Sequence, residues 1–253
     1  MKIEIIPCLN DNYSYLICDE DTNTVGIIDP SEFSACDKVI DKHYKKLDFI
    51  LNTHHHYDHV GGNEDLKKKY NSTIIGFEGD KNRIPGIDKI LSDAQEFKIG
   101  SLNFTTIFIP GHTKGHIAIY FKKEKVVFTG DTLFSLGCGR VFEGTYEQMF
   151  NSLTKLKNLP LDTKIYCGHE YTYKNLEFCL KFNPNNNFLK KKKTTIELNL
   201  KSRKPTIPST IGDEIRTNIF FRHDDPDVKK AINLENSSDL EIFTKLRDLK
   251  DNF

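Results

Sequence analysis

The sequence contains no Cys-x-x-Cys pair, which disfavours a zinc ribbon and excludes a thioredoxin-type motif. The six cysteines are widely separated: Cys8, Cys18, Cys36, Cys138, Cys167 and Cys179. In a chain of 253 residues without a secretory signal, such scattered cysteines predict reduced thiols rather than disulfides.

An excess of charge of one sign and a long apolar run are also missing. Lys and Arg number 36, and so do Asp and Glu, so no general field attracts nucleic acid or an anionic membrane. No apolar run approaches the roughly 20 residues that cross a bilayer, and Met1–Pro7 leads into an expected strand rather than a signal region. We therefore expect a cytoplasmic protein without nucleic-acid or membrane partners, acting as a monomer or a weak homo-oligomer.

What is present is an ordinary globular composition, with 38% hydrophobic and 28% charged residues. The first 170 or so residues read as short strands with few helices, including a helix at Asp37–Tyr44 and an apolar strand at Leu47–Thr53. After Glu170 helical spacing dominates. The pattern predicts a mixed α/β domain over residues 1–172 and a helical domain over residues 173–253.

The densest chemical signal is the segment that follows the predicted strand ending at Thr53. His54, His56, Asp58 and His59 fall within six positions. In a loop that leaves a strand, alternate side chains can converge on one point, so His54 and His56 form a natural ligand pair, whereas His55 points away. Asp58 and His59 can serve a second centre beside the first.

Three more ligand-type residues each follow an apolar strand and a glycine: His112, Asp131 and His169. A mononuclear zinc site needs about three protein ligands, so the seven candidates predict two metal ions. Imidazole and carboxylate ligands suit zinc, iron or manganese. The alternative is a hydrogen-bonded polar cluster without metal, but burying so many polar groups without metal would leave them poorly satisfied.

The pattern Thr-His-x-His-x-Asp-His, with the later His, Asp and His, resembles the metallo-β-lactamase superfamily. Within it the chain is similar to the glyoxalase II family along nearly its whole length. The matching segments are residues 7–13, 137–140, 168–172, 205–211 and 216–218, together with Arg247-x-x-Lys250-Asp251.

The resemblance implies an α/β fold, an αββα metallo-β-lactamase sandwich with a C-terminal α-helical domain that binds glutathione. It implies two divalent metal ions, with zinc preferred and iron or manganese as alternatives. One metal would be held by His54, His56 and His112, the other by Asp58, His59 and His169, and Asp131 would bridge both. The implied reaction is hydrolysis of S-D-lactoylglutathione to D-lactate and glutathione, the second step of methylglyoxal detoxification, with Asp58 also orienting the attacking water and accepting its proton.

The resemblance also implies five substrate-binding positions: Arg140, Phe142, Tyr171, Arg247 and Lys250. Arg247 and Lys250 lie three apart on an expected helix and share a face, where they could hold a carboxylate. Their alternative reading is a solvated helix end. The chain departs from the family at Phe142, where a tyrosine is common, so a hydroxyl contact is lost there.

Three other functions remain open from the sequence. A phosphodiesterase or nuclease on the same fold is tested with a phosphodiester substrate. A persulfide dioxygenase with a single iron is tested by metal counting and oxygen uptake. A non-catalytic glutathione or metal-binding module is tested by a thioesterase assay.

Overall fold

The computed structural model describes all 253 residues, which form two compact units. Unit 1 comprises Met1–Phe108 and Thr113–Gly130, and unit 2 comprises Ile109–His112 and Asp131–Phe253. Among the helices, none has the length and apolarity that a membrane crossing requires.

The first sheet of unit 1 contains six strands in sequence order. They are β1 (Lys2–Cys8), β2 (Asn12–Asp19), β3 (Thr24–Ile28), β4 (Phe49–Leu51), β5 (Thr73–Phe77) and β6 (Lys89–Leu91). Strands β3 to β6 pair in parallel. Parallel strands bring their carboxyl ends to the same edge, so the residues that follow β3 and β4 lie close together.

Three helices connect these strands: α1 (Phe33–His43), α2 (Tyr57–Val60) and α3 (Asn63–Tyr70). Cys36 and Ile40 of α1 and Leu66 of α3 share one buried cluster with apolar side chains of the sheet. Apolar residues at helical spacing therefore cover one face of the parallel strands.

The second sheet contributes four antiparallel strands to unit 1, in the order β10-β9-β8-β7. They are β7 (Glu96–Ile99), β8 (Leu102–Phe108), β9 (Ile117–Phe121) and β10 (Val126–Gly130). Aromatic pairs join the two sheets, with ring centroids 5.2 Å apart for Tyr15 and Phe128 and 6.3 Å apart for Phe49 and Phe97. The core of unit 1 lies between the sheets.

A buried carboxylate fastens the β2–β3 turn to the β7–β8 turn. Asp19 accepts hydrogen bonds from Ser101 N at 2.6 Å and Thr22 Oγ1 at 2.5 Å. Burial alone raises the pKa of Asp19, but the hydrogen bonds from Ser101, Thr22 and Asp21 outweigh it and lower the pKa to about 2. Gly100 adopts a φ of +60°, and a Cβ there would meet Asp19 Oδ2 at 2.4 Å.

Unit 2 is mainly helical. Its helices are α4 (Tyr146–Lys157), α5 (Thr172–Phe182), α6 (Asn187–Lys201), α7 (Ile211–Thr217), α8 (Pro226–Ala231) and α9 (Asp239–Asp251). Its short strands are β11 (Leu133–Phe134), β12 (Gly137–Cys138), β13 (Lys164–Cys167) and β14 (Ser209–Thr210). Capping boxes at Thr145 and Ser238 begin α4 and α9, and the aromatic rings of Phe178, Phe220 and Phe243 pack in its core.

The helix and the strand predicted before the histidine segment are both present, but their bounds differ from the prediction. Helix α1 begins at Phe33 rather than Asp37. The strand predicted over Leu47–Thr53 is confined to β4, and the backbone N–H of Thr53 donates to the Asp29 side chain instead of to a neighbouring strand. The predicted domain boundary at residue 172 remains a prediction, although the helical run does begin at Thr172.

Candidate metal centre

Three imidazole rings converge in unit 1, directly after β4. The ring centroid of His54 lies 4.7 Å from that of His56 and 4.1 Å from that of His59. The chain leaves β4 at Leu51 and enters α2 at Tyr57, so a short loop followed by one helical turn supplies all three rings.

A carboxylate that the sequence analysis missed organises this loop. Asp29 accepts hydrogen bonds from Thr53 N at 2.8 Å and Thr53 Oγ1 at 2.6 Å, and lies 3.0 Å from His59 Nδ1. A carboxylate only accepts, so His59 Nδ1 carries the proton and Nε2 carries the lone pair. Ligand-type atoms of Asp29, His54 and His59 lie within 4.8 Å of one another.

The same network orients His54. Its Nδ1 lies 3.0 Å from Thr53 Oγ1, whose proton is already donated to Asp29. Thr53 Oγ1 therefore accepts from Nδ1, which places the lone pair of His54 on Nε2. A signal for Asp29 was present in the sequence: like the predicted ligands, it follows an apolar strand.

Asp58 is held by β2. Asn12 Nδ2 donates to Asp58 Oδ2 at 2.9 Å and to the Asp58 carbonyl oxygen at 3.2 Å. Asn12 is buried and Asp58 is half-buried. The amide fixes one carboxylate oxygen of Asp58 in place.

His55, the predicted non-ligand, contacts a different partner. Its Nδ1 lies 3.0 Å from Oδ2 of the buried Asp80. Arg83 Nη2 lies 2.5 Å from the other oxygen of Asp80. His55 thus takes part in a separate network with Asp80 and Arg83.

The sequence analysis also missed His116. Its buried ring stacks on that of His54, with centroids 4.5 Å apart and planes inclined by 20°. Gly130, with a φ of +46°, makes room for it, because a Cβ there would meet Thr53 Oγ1 at 2.4 Å and His116 at 2.8 Å. The sequence offered a weak signal, since His116 follows a glycine at the start of β9.

Unit 2 brings its own three predicted ligands together. Asp131 Oδ2 lies 3.5 Å from His112 Nε2 and 3.2 Å from His169 Nε2. His112 Nδ1 donates to the Arg140 carbonyl oxygen at 2.8 Å, so its Nε2 is again the nitrogen with the lone pair. The Tyr171 ring stacks on His169, with centroids 4.6 Å apart and planes inclined by 6°.

The hairpin β11–β12, which leads from Asp131 to Arg140, is held by side chains of unit 2. One side chain accepts a hydrogen bond from the hairpin backbone: Glu214 Oε2 accepts from Leu136 N at 2.7 Å. Three side chains donate to its carbonyl oxygens: Asn175 Nδ2 to Ser135 O at 3.1 Å, Asn218 Nδ2 to Gly137 O at 3.1 Å and Arg247 Nη1 to Cys138 O at 2.6 Å. Side chains therefore satisfy backbone groups along the turn that precedes Arg140.

Two of the predicted substrate-binding cations differ in exposure. Arg247 is only 3% exposed, and besides Cys138 it contacts Asp251 at 2.9 Å. Lys250 is half-buried, with Nζ 5.1 Å from the ring centroids of both Phe178 and Phe253. Burial, followed by the positive charge of Arg247, lowers the pKa of Lys250 to about 8.

The remaining predicted substrate residues of unit 2 are exposed at its surface. Arg140 Nε lies 3.4 Å from Asp251 Oδ1. The Phe142 ring is 62% exposed, with its centroid 5.1 Å from that of His112. Phe142 therefore presents an apolar face beside a predicted ligand.

The donor sets fit divalent metal ions. Unit 1 offers imidazole nitrogens and the Asp58 carboxylate, and unit 2 offers two imidazole nitrogens at the Asp131 carboxylate. Hydrogen bonds donated by Nδ1 of His54, His59 and His112 leave the lone pair on Nε2, as metal coordination requires. Nitrogen and oxygen donors of this kind bind zinc, iron and manganese.

Comparison with known proteins shows which families the chain resembles. Residues 10–169 match the model of the metallo-β-lactamase superfamily, and residues 170–253 match that of the hydroxyacylglutathione hydrolase C-terminus. A Pelagibacter ubique protein named hydroxyacylglutathione hydrolase is 52% identical over 253 residues, covering 100% of both chains. A Methylococcus capsulatus protein of the same name is 40% identical, covering 100% of this chain and 99% of its own length.

Solved structures agree on the fold. The crystal structure of ETHE1 from Myxococcus xanthus superposes with a TM-score of 0.70 at 25% identity, covering 98% of this chain and 91% of its own. This structure and the two family models confirm the predicted αββα metallo-β-lactamase fold with a C-terminal helical domain.

Proposed function

The chain belongs to the hydroxyacylglutathione hydrolase family of the metallo-β-lactamase superfamily, and from this we propose that it hydrolyses S-D-lactoylglutathione to D-lactate and glutathione. The observation that carries the proposal is the 52% identity, over the full length of both chains, to a protein of that name. The reaction would be the second step of glyoxalase detoxification of methylglyoxal.

The proposed cofactor is a pair of divalent metal ions. His54, His56 and His112 would hold one, Asp58, His59 and His169 the other, and Asp131 both. The proposal is supported by the nitrogen and oxygen donors within each unit and by the hydrogen bonds that keep the lone pairs on Nε2. Zinc is our first choice, with iron and manganese as alternatives. When bound, such ions acidify water and polarise a carbonyl group.

Asp58 is the proposed catalytic carboxylate. The attacking water must be oriented towards the thioester carbonyl and must lose a proton as the C–O bond forms. The hydrogen bond from Asn12 at 2.9 Å fixes Asp58 Oδ2, so the carboxylate presents a defined direction to that water. A fixed acceptor avoids reorganisation during the reaction.

The glutathione part of the substrate would be bound by unit 2. We propose Lys250 and Arg247 as the positive charges for its glycine carboxylate, with Arg140 as a further cation. The half-buried position of Lys250 favours an ion pair with the glycine carboxylate, because a charge pair is screened less there than in open water. Tyr171 would donate a hydrogen bond from its hydroxyl group to the substrate. Phe142 would supply an apolar contact where the family commonly has a tyrosine.

The proposed location is the cytoplasm. Its support is the presence of six free cysteines, all of them buried, which suits a compartment that keeps thiols reduced.

The test is release of glutathione thiol from S-D-lactoylglutathione by the metal-loaded protein. Asp58→Ala should lose activity mainly in kcat, because it removes a group used in the transition state. Asp65→Ala, on the exposed surface of α3, is the matched control. A phosphodiester substrate tests the phosphodiesterase alternative, and oxygen uptake with glutathione persulfide tests the persulfide dioxygenase alternative. Turnover of either in place of the thioester would refute the proposal.

A further inference from the structure

Two cysteines of unit 1 lie side by side in the core. Cys8 Sγ and Cys36 Sγ are 3.9 Å apart, although the residues are 28 positions apart in sequence. We propose that hydroperoxides oxidise Cys8 and Cys36 to a disulfide, and that this modification reversibly lowers the hydrolase activity. The disulfide stands on the geometry alone, whereas the loss of activity rests on the proposed function.

The positions of the two residues permit the bond. Cys8 ends β1, and Cys36 lies in α1, which packs on β1 within the same buried cluster. A disulfide needs the sulfur atoms about 2.05 Å apart. The sulfurs must therefore move about 2 Å closer to form the bond.

The two thiols differ in access and acidity. Cys8 is 4% exposed and lies between the exposed residues Pro7 and Leu9, whereas Cys36 is 0% exposed. The hydrogen bond from Cys36, aided by one from the backbone N–H of Ser14, lowers the pKa of Cys8 against the effect of burial. The hydrogen bond to Cys8, and then burial, raises the pKa of Cys36 well above its usual value. Cys8 is thus the thiol that meets the oxidant first.

The chemistry balances in two steps. The Cys8 thiolate attacks the peroxide oxygen, the O–O bond breaks, and Cys8 becomes a sulfenic acid while an alcohol or water leaves. The Cys36 sulfur then attacks the Cys8 sulfur, the S–O bond breaks, and the Cys36 proton leaves with the hydroxide as water. Two thiols lose two electrons in total, and one peroxide is reduced.

A short chain of hydrogen bonds leads from Cys8 to the candidate metal ligands. Cys8 Sγ lies 3.4 Å from Ser14 Oγ, which donates to the Asp29 carbonyl oxygen at 2.7 Å. The Asp29 carboxylate in turn holds His59 and Thr53. Forming the Cys8–Cys36 bond moves the Cys8 sulfur relative to Ser14 and so disturbs Asp29, which orients His59.

A second connection runs through the sheet. Cys8 is the cross-strand partner of Asn12 in the β1–β2 register. Asn12 holds the carboxylate of Asp58 at 2.9 Å. A shift of β1 at Cys8 therefore also reaches the proposed catalytic carboxylate, and both connections lie entirely within unit 1.

The experiment treats the zinc-loaded protein with hydrogen peroxide, blocks free thiols by alkylation, and digests it without reduction. Mass spectrometry should find a peptide linked through Cys8 and Cys36. Lactoylglutathione hydrolysis should fall about tenfold or more, as when a partner of a metal ligand is disturbed, and dithiothreitol should restore it. Cys36→Ser should resist the loss, while Cys18→Ser, a matched buried cysteine of unit 1, should not.

Three outcomes would overturn the proposal. The first is that wild-type protein shows no peptide linked through Cys8 and Cys36 after peroxide has oxidised its other cysteines. The second is formation of the link without loss of activity. The third is an equal loss in Cys36→Ser, or in Cys8→Ala should the first variant fail to fold. The linked peptide is detected without any substrate, so failure of the proposed hydrolase reaction would be recognised separately.

Discussion

The Asp29 carboxylate and the His59 ring form a hydrogen bond of 3.0 Å between Oδ2 and Nδ1. The same carboxylate binds the backbone and hydroxyl of Thr53, so it joins both ends of the loop that carries His54 and His56. The end of β3 thereby sets the orientation of residues that follow β4.

Replacing Asp29 should therefore weaken metal binding. Asp29→Asn keeps the size of the side chain but presents an amide where His59 and Thr53 need an acceptor. Losing such an outer partner typically lowers metal affinity or activity about 10- to 100-fold. Zinc affinity by chelator competition and kcat should both fall in that range. Asp37→Asn, which removes a carboxylate paired with Lys69 at the surface, should leave both unchanged, and a similar loss there would contradict the assignment.

Alanine substitutions of the adjacent residues His54 and His55 should have very different effects on kcat/KM. His54→Ala removes a proposed ligand and should lower kcat/KM by more than about 100-fold, beyond the usual effect of an outer partner. His55→Ala removes a predicted non-ligand that contacts Asp80, so the loss of kcat/KM should stay within about 10-fold. Steady-state kinetics with matched zinc loading decide the point. Equal damage in both variants would mean that the ligand assignment is wrong.

The secondary structure and the cluster of histidines after β4 could be predicted from the sequence because both leave local patterns, whereas the αββα architecture was implied by the family resemblance. Alternating apolar residues marked the strands, and histidines after strands marked the site. The supporting contacts could not be predicted, because they depend on tertiary structure. Arg247 donates to Cys138 O across 109 positions, and the only local signal for Asp29 and His116 is a position beside a strand, which many polar residues share.

Lys250→Met should weaken recognition of glutathione with little effect on chemistry. A contact remote from the thioester and equal in ground and transition states raises KM when it is lost and spares kcat. Removing the charged partner of a carboxylate should cost about 1.5–3 kcal/mol, or about 10- to 100-fold in kcat/KM.

A thioester without the glycine carboxylate provides the comparison for Lys250→Met, because wild type and variant should hydrolyse it equally. Lys245→Met, on an exposed position of α9, controls for the loss of a charge from the same helix. Arg247→Met is less informative, because it also removes the hydrogen bond to Cys138. An equal loss of activity of Lys250→Met on both thioesters would mean that Lys250 does not bind the glycine carboxylate.

The lowered pKa of Lys250 predicts a pH dependence of substrate binding. Burial and the charge of Arg247 bring this pKa to about 8, so Lys250 is charged below that pH and neutral above it. KM for lactoylglutathione should therefore rise as the pH increases through about 8. Lys250→Arg stays charged over this range and should show a flatter KM profile. An unchanged profile in Lys250→Arg would assign the pH dependence to another group.

The most direct test of the central claim is titration of the metal-free protein with zinc while glutathione release from S-D-lactoylglutathione is followed. The seven proposed ligands predict that activity rises until two equivalents per chain are bound, and that a strong chelator abolishes it. Full activity at one equivalent, or no thiol release at any loading, would contradict the account.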